Sequence, residues 1–512
     1  MDQTIKSNQR PPYGIIAILM IGAFIAFLNN TLLNIALPSI MKDLNIEAAT
    51  VQWLTTGFML VNGILIPTTA FLIRKYSVRH LFLAAMLLFT IGTIVAGTAT
   101  VFSVLLTGRL LQASGSAILM PLLMNVMLVS FPVEKRGAAM GVFGLILMFA
   151  PAIGPTLSGW IVEHYDWRML FHFVTPIAIV VLLVGFFLLK DKKEKINIHL
   201  DFFSLLLSSI GFGGILYGFS TASSKGWDSP QVYGTIIIGV VSLVVFILIQ
   251  LKKEDPMLNF RVYKYPMFAL SSAISMVVNM SLFAGMILLP IYTQNLRGIS
   301  PMDAGLLLLP GAILMAVMSP VNGRLFDKIG GRILAVTGLI IIVVTTYAFS
   351  QLTLETSYAH LILIYSIRSF GMSMVMMPVS TNGLNQLPKR LYPHGTAMNN
   401  TLNQVAGAIG TALLVTIMTN RAESQGKTLG EEAMKHFTGQ PTPEAIAQMK
   451  QQIAAQAMLD GINFAFMVAT AIAAVALVLA LFIKRAKPSV DPIGGSNTKQ
   501  ANQNVVPKLA KN

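Results

Sequence analysis

The sequence predicts an all-α, polytopic membrane protein with fourteen transmembrane helices. Of its 512 residues, 54% are hydrophobic and only 11% are charged, and the mean hydropathy is +0.70. Many apolar runs reach the roughly 20 residues that a helix needs to cross a bilayer. An internal repeat divides these runs into two groups of six with two further runs between them, which predicts a 6+2+6 order of helices.

The basic residues set the orientation of these spans. A net charge of +15 could indicate a nucleic-acid partner in a soluble protein. Here, however, about 26 of the 36 Lys and Arg fall in alternate short loops and in both tails. This positive-inside pattern places both termini in the cytoplasm and indicates no nucleic-acid partner.

The first apolar run, from about Tyr13 to Pro38, is interpreted as an uncleaved span. It is too long for the core of a signal peptide and lacks a small-residue cleavage site. Asn30 and Asn34 share one face of this helix, and polar groups in lipid need partners, so both are expected to face the bundle interior. Contact with a substrate and contact only with each other are equally compatible with this pattern.

The fourth span carries a charge within the apolar run. An arginine at the position of Arg109 costs about 2.5–3.5 kcal/mol in a bilayer and is therefore usually functional. Gln112, one turn further along, offers it a polar partner. The alternative is that the Arg109 side chain extends outward to water. Arg368 lies deeper in its own span, where that alternative is weaker.

The fifth span is rich in residues that loosen a helix. Pro151, Gly154, Pro155 and Gly159 free backbone groups and permit close approach of a neighbouring helix. We predict that they form a hinge; the alternative is that the prolines are tolerated kinks without motion.

The repeat relates the two six-span groups. Arg109 matches Arg368, Met120-Pro121 matches Met377-Pro378, and Gly137 matches Gly395, with separations between 257 and 259 residues. Two such halves around a central cavity are typical of transporters. We predict an N-terminal half at 1–200, an inserted helix pair at 201–264, a C-terminal half at 265–485 with an outer loop at 419–460, and a disordered cytoplasmic tail at 486–512.

Polar residues and flexible methionines are predicted to line the cavity. Thioethers can repack around varied ligands, although ordinary helix packing would also explain them. The predicted cavity residues are Asn29, Asn30, Asn34, Met120, Met124, Asn125, Met376 and Asn403.

The sequence lacks the residues that an ATP-binding loop, a metal site or a hydrolytic site requires. The nearest match to a phosphate-binding loop is Gly426-Lys427-Thr428, where Arg421 replaces the first glycine. There are no cysteines, and no cluster of histidines and carboxylates indicates a metal or a hydrolytic site. We therefore expect no enzyme, no metal and no cofactor, which leaves secondary transport powered by a proton gradient.

Five segments carry a resemblance to a known family. They are LNNTLLNIALP (28–38), GRLLQASG (108–115), APAIGPTLSG (150–159), DWRMLF (166–171) and LPIYTQNLRGISPMDAGLLLLPG (289–311). Together they resemble the fourteen-span drug/proton antiporter branch of the major facilitator superfamily, the EmrB/QacA type, and the first also resembles the lincomycin-resistance exporters of Gram-positive bacteria. The resemblance implies the major facilitator fold, export by proton antiport, and the cytoplasmic membrane of a bacterium.

The resemblance also identifies a cytoplasmic gate motif, which differs between the halves. The second half keeps it at 323–332, with Gly323, Asp327, Gly330 and Arg332 in their expected places. In the first half, at 70–79, Arg79 remains, but the glycines are Ala70 and Ser77 and the acid is Arg74. We therefore expect the charge clamp between helix ends on the second side only.

The first span lacks the acidic residue that this branch often has at position 29. Position 29 is Asn29, and no Asp or Glu lies deep in any predicted span, whereas Arg109 and Arg368 do. This balance favours uncharged, zwitterionic, anionic or singly charged molecules over dications. It also predicts an interfacial proton site among Glu163, Asp166 and His172, although a single histidine at the interface is more often a solvated surface group.

We therefore expect a secondary active exporter of amphipathic small molecules that exchanges them for protons by alternating access. Its expected partners are these molecules, protons and the lipid bilayer, and it is expected to function as a monomer. The alternatives are a dedicated exporter of an endogenous metabolite or lipid-like compound, and a membrane sensor that keeps the fold without transporting.

Overall fold

The computed structural model describes residues 12–46, 48–51, 53–190, 201–435 and 443–485, all helical or in short connections. The helices are α1 (Tyr13–Leu44), α2 (Ala48–Val51), α3 (Trp53–Lys75), α4 (Val78–Gly97), α5 (Phe102–Ser130), α6 (Arg136–His164), α7 (Met169–Leu188), α8 (Phe202–Lys225), α9 (Pro230–Lys252), α10 (Pro266–Pro290), α11 (Pro301–Ile329), α12 (Gly331–Phe349), α13 (Tyr358–Asn385), α14 (Tyr392–Lys435) and α15 (Pro443–Ala480).

Helix ends follow local capping chemistry. The hydroxyl of Ser300 accepts a hydrogen bond from the amide of Asp303, and Pro301 begins α11, where its missing N–H costs nothing. Asp201 caps α8 in the same way by accepting from the amide of Ser204. Gly330 separates α11 from α12 with a φ of +85°, a left-handed conformation that glycine adopts without strain.

Thirteen helices of the described residues are long and apolar enough to cross a membrane. The fold is thus the all-α polytopic membrane fold that the composition predicts. A further long helix, α6, contains residues whose side chains are not described, and the 6+2+6 order of fourteen spans stays a prediction. Both α14 and α15 continue into the segment predicted as an outer loop, 419–460. The predicted tail at 486–512 lies outside the described residues.

Contacts between the two predicted halves form two seams. Along one seam α6 packs against α11, and along the other α3 packs against α14. The inserted pair, α8 and α9, forms a hairpin whose helix α8 lies against both α3 and α14. The insertion therefore borders the second seam.

One end of the bundle holds both ends of the described chain. The ring of Tyr13 contacts the ring of Phe131, just after α5. The carbonyl of Phe131 accepts a hydrogen bond from the side chain of Arg136 at the start of α6. Arg485, after α15, donates to the carbonyl of Asp327 at the end of α11. We call this end the termini face.

Candidate functional site

Arg109 is at the centre of a polar network inside the first half. Its side chain is fully buried, and its guanidinium donates to Gln112 Oε1 at 2.8 Å and to Asn30 Oδ1 on α1 at 3.0 Å. The Phe58 ring of α3 lies 4.4 Å from the guanidinium carbon, within cation–π range. Since these partners are internal, the Arg109 side chain does not extend to water. The predicted residues Arg109, Gln112 and Asn30 thus lie together.

Arg368 forms a corresponding network in the second half. It is also buried, and it donates to the carbonyl of Ser281 on α10 at 2.9 Å and to Thr346 Oγ1 on α12 at 3.4 Å. A Cβ added to Gly285 would lie 2.4 Å from Nη1 of Arg368. The absence of a side chain at Gly285 therefore makes room for the guanidinium. Neither arginine has a carboxylate among its hydrogen-bond partners within the described residues.

The two networks follow the repeat more closely than the sequence motifs alone indicate. Gln112 donates to Thr93 Oγ1 on α4 at 2.8 Å. Thr93 and Thr346 are 253 residues apart, as are Arg74 and Asp327. A comparison of the halves at this separation would have identified Thr93 and Thr346 in advance. Phe58, by contrast, carries no sequence signal for its place under Arg109.

Asp327, a predicted gate residue, connects α11 to α6 at the termini face. Its carboxylate accepts hydrogen bonds from the main-chain amides of Gly137 at 2.8 Å and Ala138 at 2.9 Å, at the start of α6. A carboxylate at a helix N-terminus satisfies free amides and interacts favourably with the helix dipole. Asp327 therefore holds the end of α11 to the start of α6.

Glycines bring these two helices into backbone contact. A Cβ at Gly323 would lie 2.2 Å from the carbonyl oxygen of Gly137, and one at Gly141 would lie 2.6 Å from that of Ser319. The side chain of Ser319 in turn donates to the carbonyl of Gly141 at 2.8 Å. This seam admits no larger side chain at either glycine.

Arg136 adds a second tie at the same face, which the sequence motifs did not identify. It is buried, it donates to Asn385 Oδ1 on α13 at 3.1 Å, and its guanidinium carbon lies 4.9 Å from the centre of the Tyr392 ring. The first residue of α6 thus contacts α13 and α14 of the other half.

The other predicted gate residues make local contacts. Arg79 donates to the carbonyl of Phe186 at 3.2 Å, close to the end of α7 in its own half. Arg332 is exposed at the start of α12, and Gly330 forms the turn before it.

The predicted hinge glycines differ in their surroundings. A Cβ at Gly154 would lie 2.3 Å from Oγ1 and 2.8 Å from Cβ of Thr31 on α1, whereas one at Gly159 would meet no atom within 4 Å. Close helix approach is therefore a property of Gly154 and not of Gly159. The side chains of Pro151 and Pro155, like that of Asn34, lie outside those that the structure describes.

The predicted cavity residues fall into separate groups. Met124 Sδ lies 3.8 Å from Asn400 Nδ2 across the halves. Met376 and Asn403 line a cavity of about 30 Å³ between α10, α13 and α14, where Asn403 accepts from Asn279 at 3.1 Å. Asn29 and Asn125 are buried, and the Asn29 nitrogen and the Asn125 oxygen have no hydrogen-bond partner among the described residues. Met120 is partly buried and packs against an apolar core that the first half shares with α13 and α14.

The predicted proton site lies at the end of the bundle opposite the termini face. Glu163, Asp166 and His172 are exposed, and none of them contacts Arg109. Asp166 binds Arg168, which also binds Asp43 at 2.9 Å at the end of α1.

Asp43, near the end of α1, accepts hydrogen bonds from two residues that precede α7. Hydrogen bonds from the Trp167 indole at 3.1 Å and from Arg168 lower the pKa of Asp43 below its ordinary value. Its ionised form therefore ties α1 to the start of α7.

Comparisons with known proteins agree with this arrangement. The sequence profile of the Major Facilitator Superfamily matches residues 19–411. The chain is 49% identical over 500 residues to the uncharacterized MFS-type transporter YhcA of Bacillus subtilis, covering 94% of each chain. It is 42% identical over 492 residues to the lincomycin resistance protein LmrB of Bacillus subtilis, covering 95% of this chain and 99% of LmrB.

A solved structure supports the fold independently of sequence. The human organic anion transporter MFSD10 (TETRAN) matches with a TM-score of 0.65 at 14% identity, over 92% of this chain and 100% of that chain. The helical content, the profile match and the identity to LmrB point to one family. The chain belongs to the Major Facilitator Superfamily and is a polytopic membrane transporter.

Proposed function

We propose that this protein exports amphipathic small molecules, including lincomycin-like antibiotics, in exchange for protons. The observation that carries the proposal is the pair of buried arginines, one in each half, whose described hydrogen-bond partners are all uncharged. Intramembrane charges of this kind mark substrate or ion pathways. The 42% identity to LmrB over nearly the whole chain supports the substrate class.

The transport cycle proposed is alternating access in a bacterial cytoplasmic membrane, with both termini in the cytoplasm. The two halves would separate at the termini face when the ties made by Asp327 and Arg136 break. Since no carboxylate binds Arg109 in the described part of the chain, protons would be exchanged at the exposed groups Glu163, Asp166 and His172.

The charge of the cavity determines which molecules it accepts. Two arginines without acids should repel dications, because Coulomb terms grow in a low-dielectric site. Asn29 is buried, and its side-chain nitrogen has no partner among the residues that the structure describes, so an acid at this position would change that preference. Wild type should therefore export lincomycin, and Asn29→Asp should extend export to a divalent cationic dye.

The test is efflux from proteoliposomes with an imposed pH gradient, measured with lincomycin and with the dye in the same preparation. Collapse of the gradient with a protonophore should abolish lincomycin efflux. Strong efflux of the dye by wild type would refute the charge argument, and gradient-independent lincomycin flux would refute antiport.

A further inference from the structure

The linker between α9 and α10, residues 253–265, is packed into the protein at the termini face. Met257, Leu258 and Val262 are buried and belong to the same apolar core as Met398 of α14. The side chain of Gln250 accepts from the amide of Leu258 at 3.3 Å and fixes the linker to the end of α9. The linker is therefore a structured element rather than a loose connection.

On one side, the linker binds the end of α3. The carboxylate of Asp255 lies 2.7 Å from the guanidinium of Arg74, in the last turn of that helix. Arg74 occupies the position that matches Asp327 in the repeat. An arginine cannot repeat what Asp327 does, because a cation is repelled by the positive end of a helix dipole. Asp255 supplies a carboxylate at this place from a different part of the chain.

On the other side, the linker binds the start of α14. The main-chain amide of Asn259 donates to Nδ1 of His394 at 3.2 Å, and His394 is buried in the first turn of that helix. As an acceptor, Nδ1 carries no proton, which fixes the neutral tautomer of the ring. Within five residues the linker thus contacts both helices of the α3/α14 seam.

We propose that the linker 253–265 is the gate element of the first half. Asp255 replaces, from the inserted pair, the acid that the first-half motif lacks, and the contacts to Arg74 and His394 hold the α3/α14 seam closed at the termini face. The inserted helices thereby take part in the conformational cycle. The proposal rests on the alternating access described above, but not on the identity of the substrate or of the coupling ion.

The chain contains no cysteine, which permits a direct test. Ala397 is fully buried on α14, three residues after His394, in the apolar core that also contains Leu258 and Val262 of the linker. A thiol introduced by Ala397→Cys should therefore react with a membrane-impermeant maleimide only when the packing between the linker and α14 opens. The labelling rate of the full-length protein in nanodiscs, well below its melting temperature, reports that opening without substrate or gradient.

We expect Asp255→Asn to raise the labelling rate about two- to fivefold, the range for loss of a partly exposed ion pair. The charge reversals Asp255→Arg and Arg74→Asp should each raise it further, and their combination should bring it back to within about twofold of the parent. Glu423→Lys is the matched control. It reverses one charge of the exposed Glu423–Lys427 ion pair, which lies far along α14, and should leave the labelling rate unchanged.

Unchanged labelling in both single reversals, or a double variant as reactive as the singles, would overturn the proposal. If a reversal does not fold, the melting curve shows it and Asp255→Asn alone decides. A lower melting temperature without faster labelling would assign the pair to stability only and would also overturn the proposal. None of these outcomes bears on drug export, which the proteoliposome assay tests separately.

Discussion

The contact between Gly154 and Thr31 gives the sharpest prediction about the transport cycle. In Gly154→Ala the new Cβ would lie 2.8 Å from Cβ of Thr31, well below the ordinary carbon–carbon separation of about 3.5–4.0 Å. Helices α1 and α6 would have to separate by about 1 Å to accommodate it. The same shift would break the 3.3 Å hydrogen bond from Thr31 Oγ1 to the carbonyl of Ala150.

The cost follows from these two changes. Overpacking of a tight contact costs about 1–3 kcal/mol, and the lost hydrogen bond about 0.5–1.5 kcal/mol. A conformation that contains the contact would thus be destabilised by about 1.5–4.5 kcal/mol, which shifts its population about 10- to 2,000-fold relative to one that lacks it. We expect transport to fall at least about tenfold, because one conformation of the cycle becomes rare.

Gly159→Ala is the control for this variant. It lies in the same helix and gains the same helix propensity of about 1 kcal/mol, but its Cβ would meet nothing within 4 Å. Transport rates in proteoliposomes and melting temperatures should be measured for both variants. Equal transport by Gly154→Ala and Gly159→Ala would refute the idea that this contact matters for the cycle.

Three further predictions concern the charged networks. Arg109→Ala should abolish gradient-driven transport at normal protein levels, and Arg109→Lys should restore little of it, because an ammonium cannot reach Gln112 and Asn30 as a planar guanidinium does; full activity of the alanine variant would contradict this. Gly285→Ala should displace the flexible guanidinium of Arg368 and reduce transport while the melting temperature changes little, since the atom displaced is the far end of a long side chain; wild-type transport rates would show that the guanidinium position is unimportant. Asp43→Asn should lower the melting temperature at pH 7. A carboxyl group whose pKa is lower in the folded than in the unfolded protein stabilises the fold above the unfolded-state pKa, and this stabilisation is lost as the pH falls through the folded-state pKa, so the difference from wild type should vanish there. A difference that persists at lower pH would contradict the ion-pair origin.

Part of the site was predictable because its signals are local in sequence. The Arg109–Gln112 contact follows from helical spacing, and the first turn of α6 is marked by its repeat partner around Gly395. Asn279, which binds Asn403, was not predictable, because their contact depends on how α10 packs against α14. The hydropathy of the sequence predicts that the last two spans stop at the bilayer boundary. Helix formation does not depend on hydropathy, so α14 continues past this boundary to Lys435. The ion pair of Asp255 with Arg74 had no signal in the sequence, since tertiary packing alone brings the two residues together.

The glycine contacts between α6 and α11 have a consequence for the energy needed to open the protein. Because Gly137, Gly141 and Gly323 bring backbone against backbone, separating the helices exposes less apolar surface at these three positions than larger side chains would. Part of the opposing energy then comes from hydrogen bonds, such as the two at Asp327, each worth about 1.5–3 kcal/mol. One elementary charge crossing 100 mV releases about 2.3 kcal/mol, a quantity of the same size. A charge that crosses 100 mV therefore supplies about the free energy of one of these two hydrogen bonds.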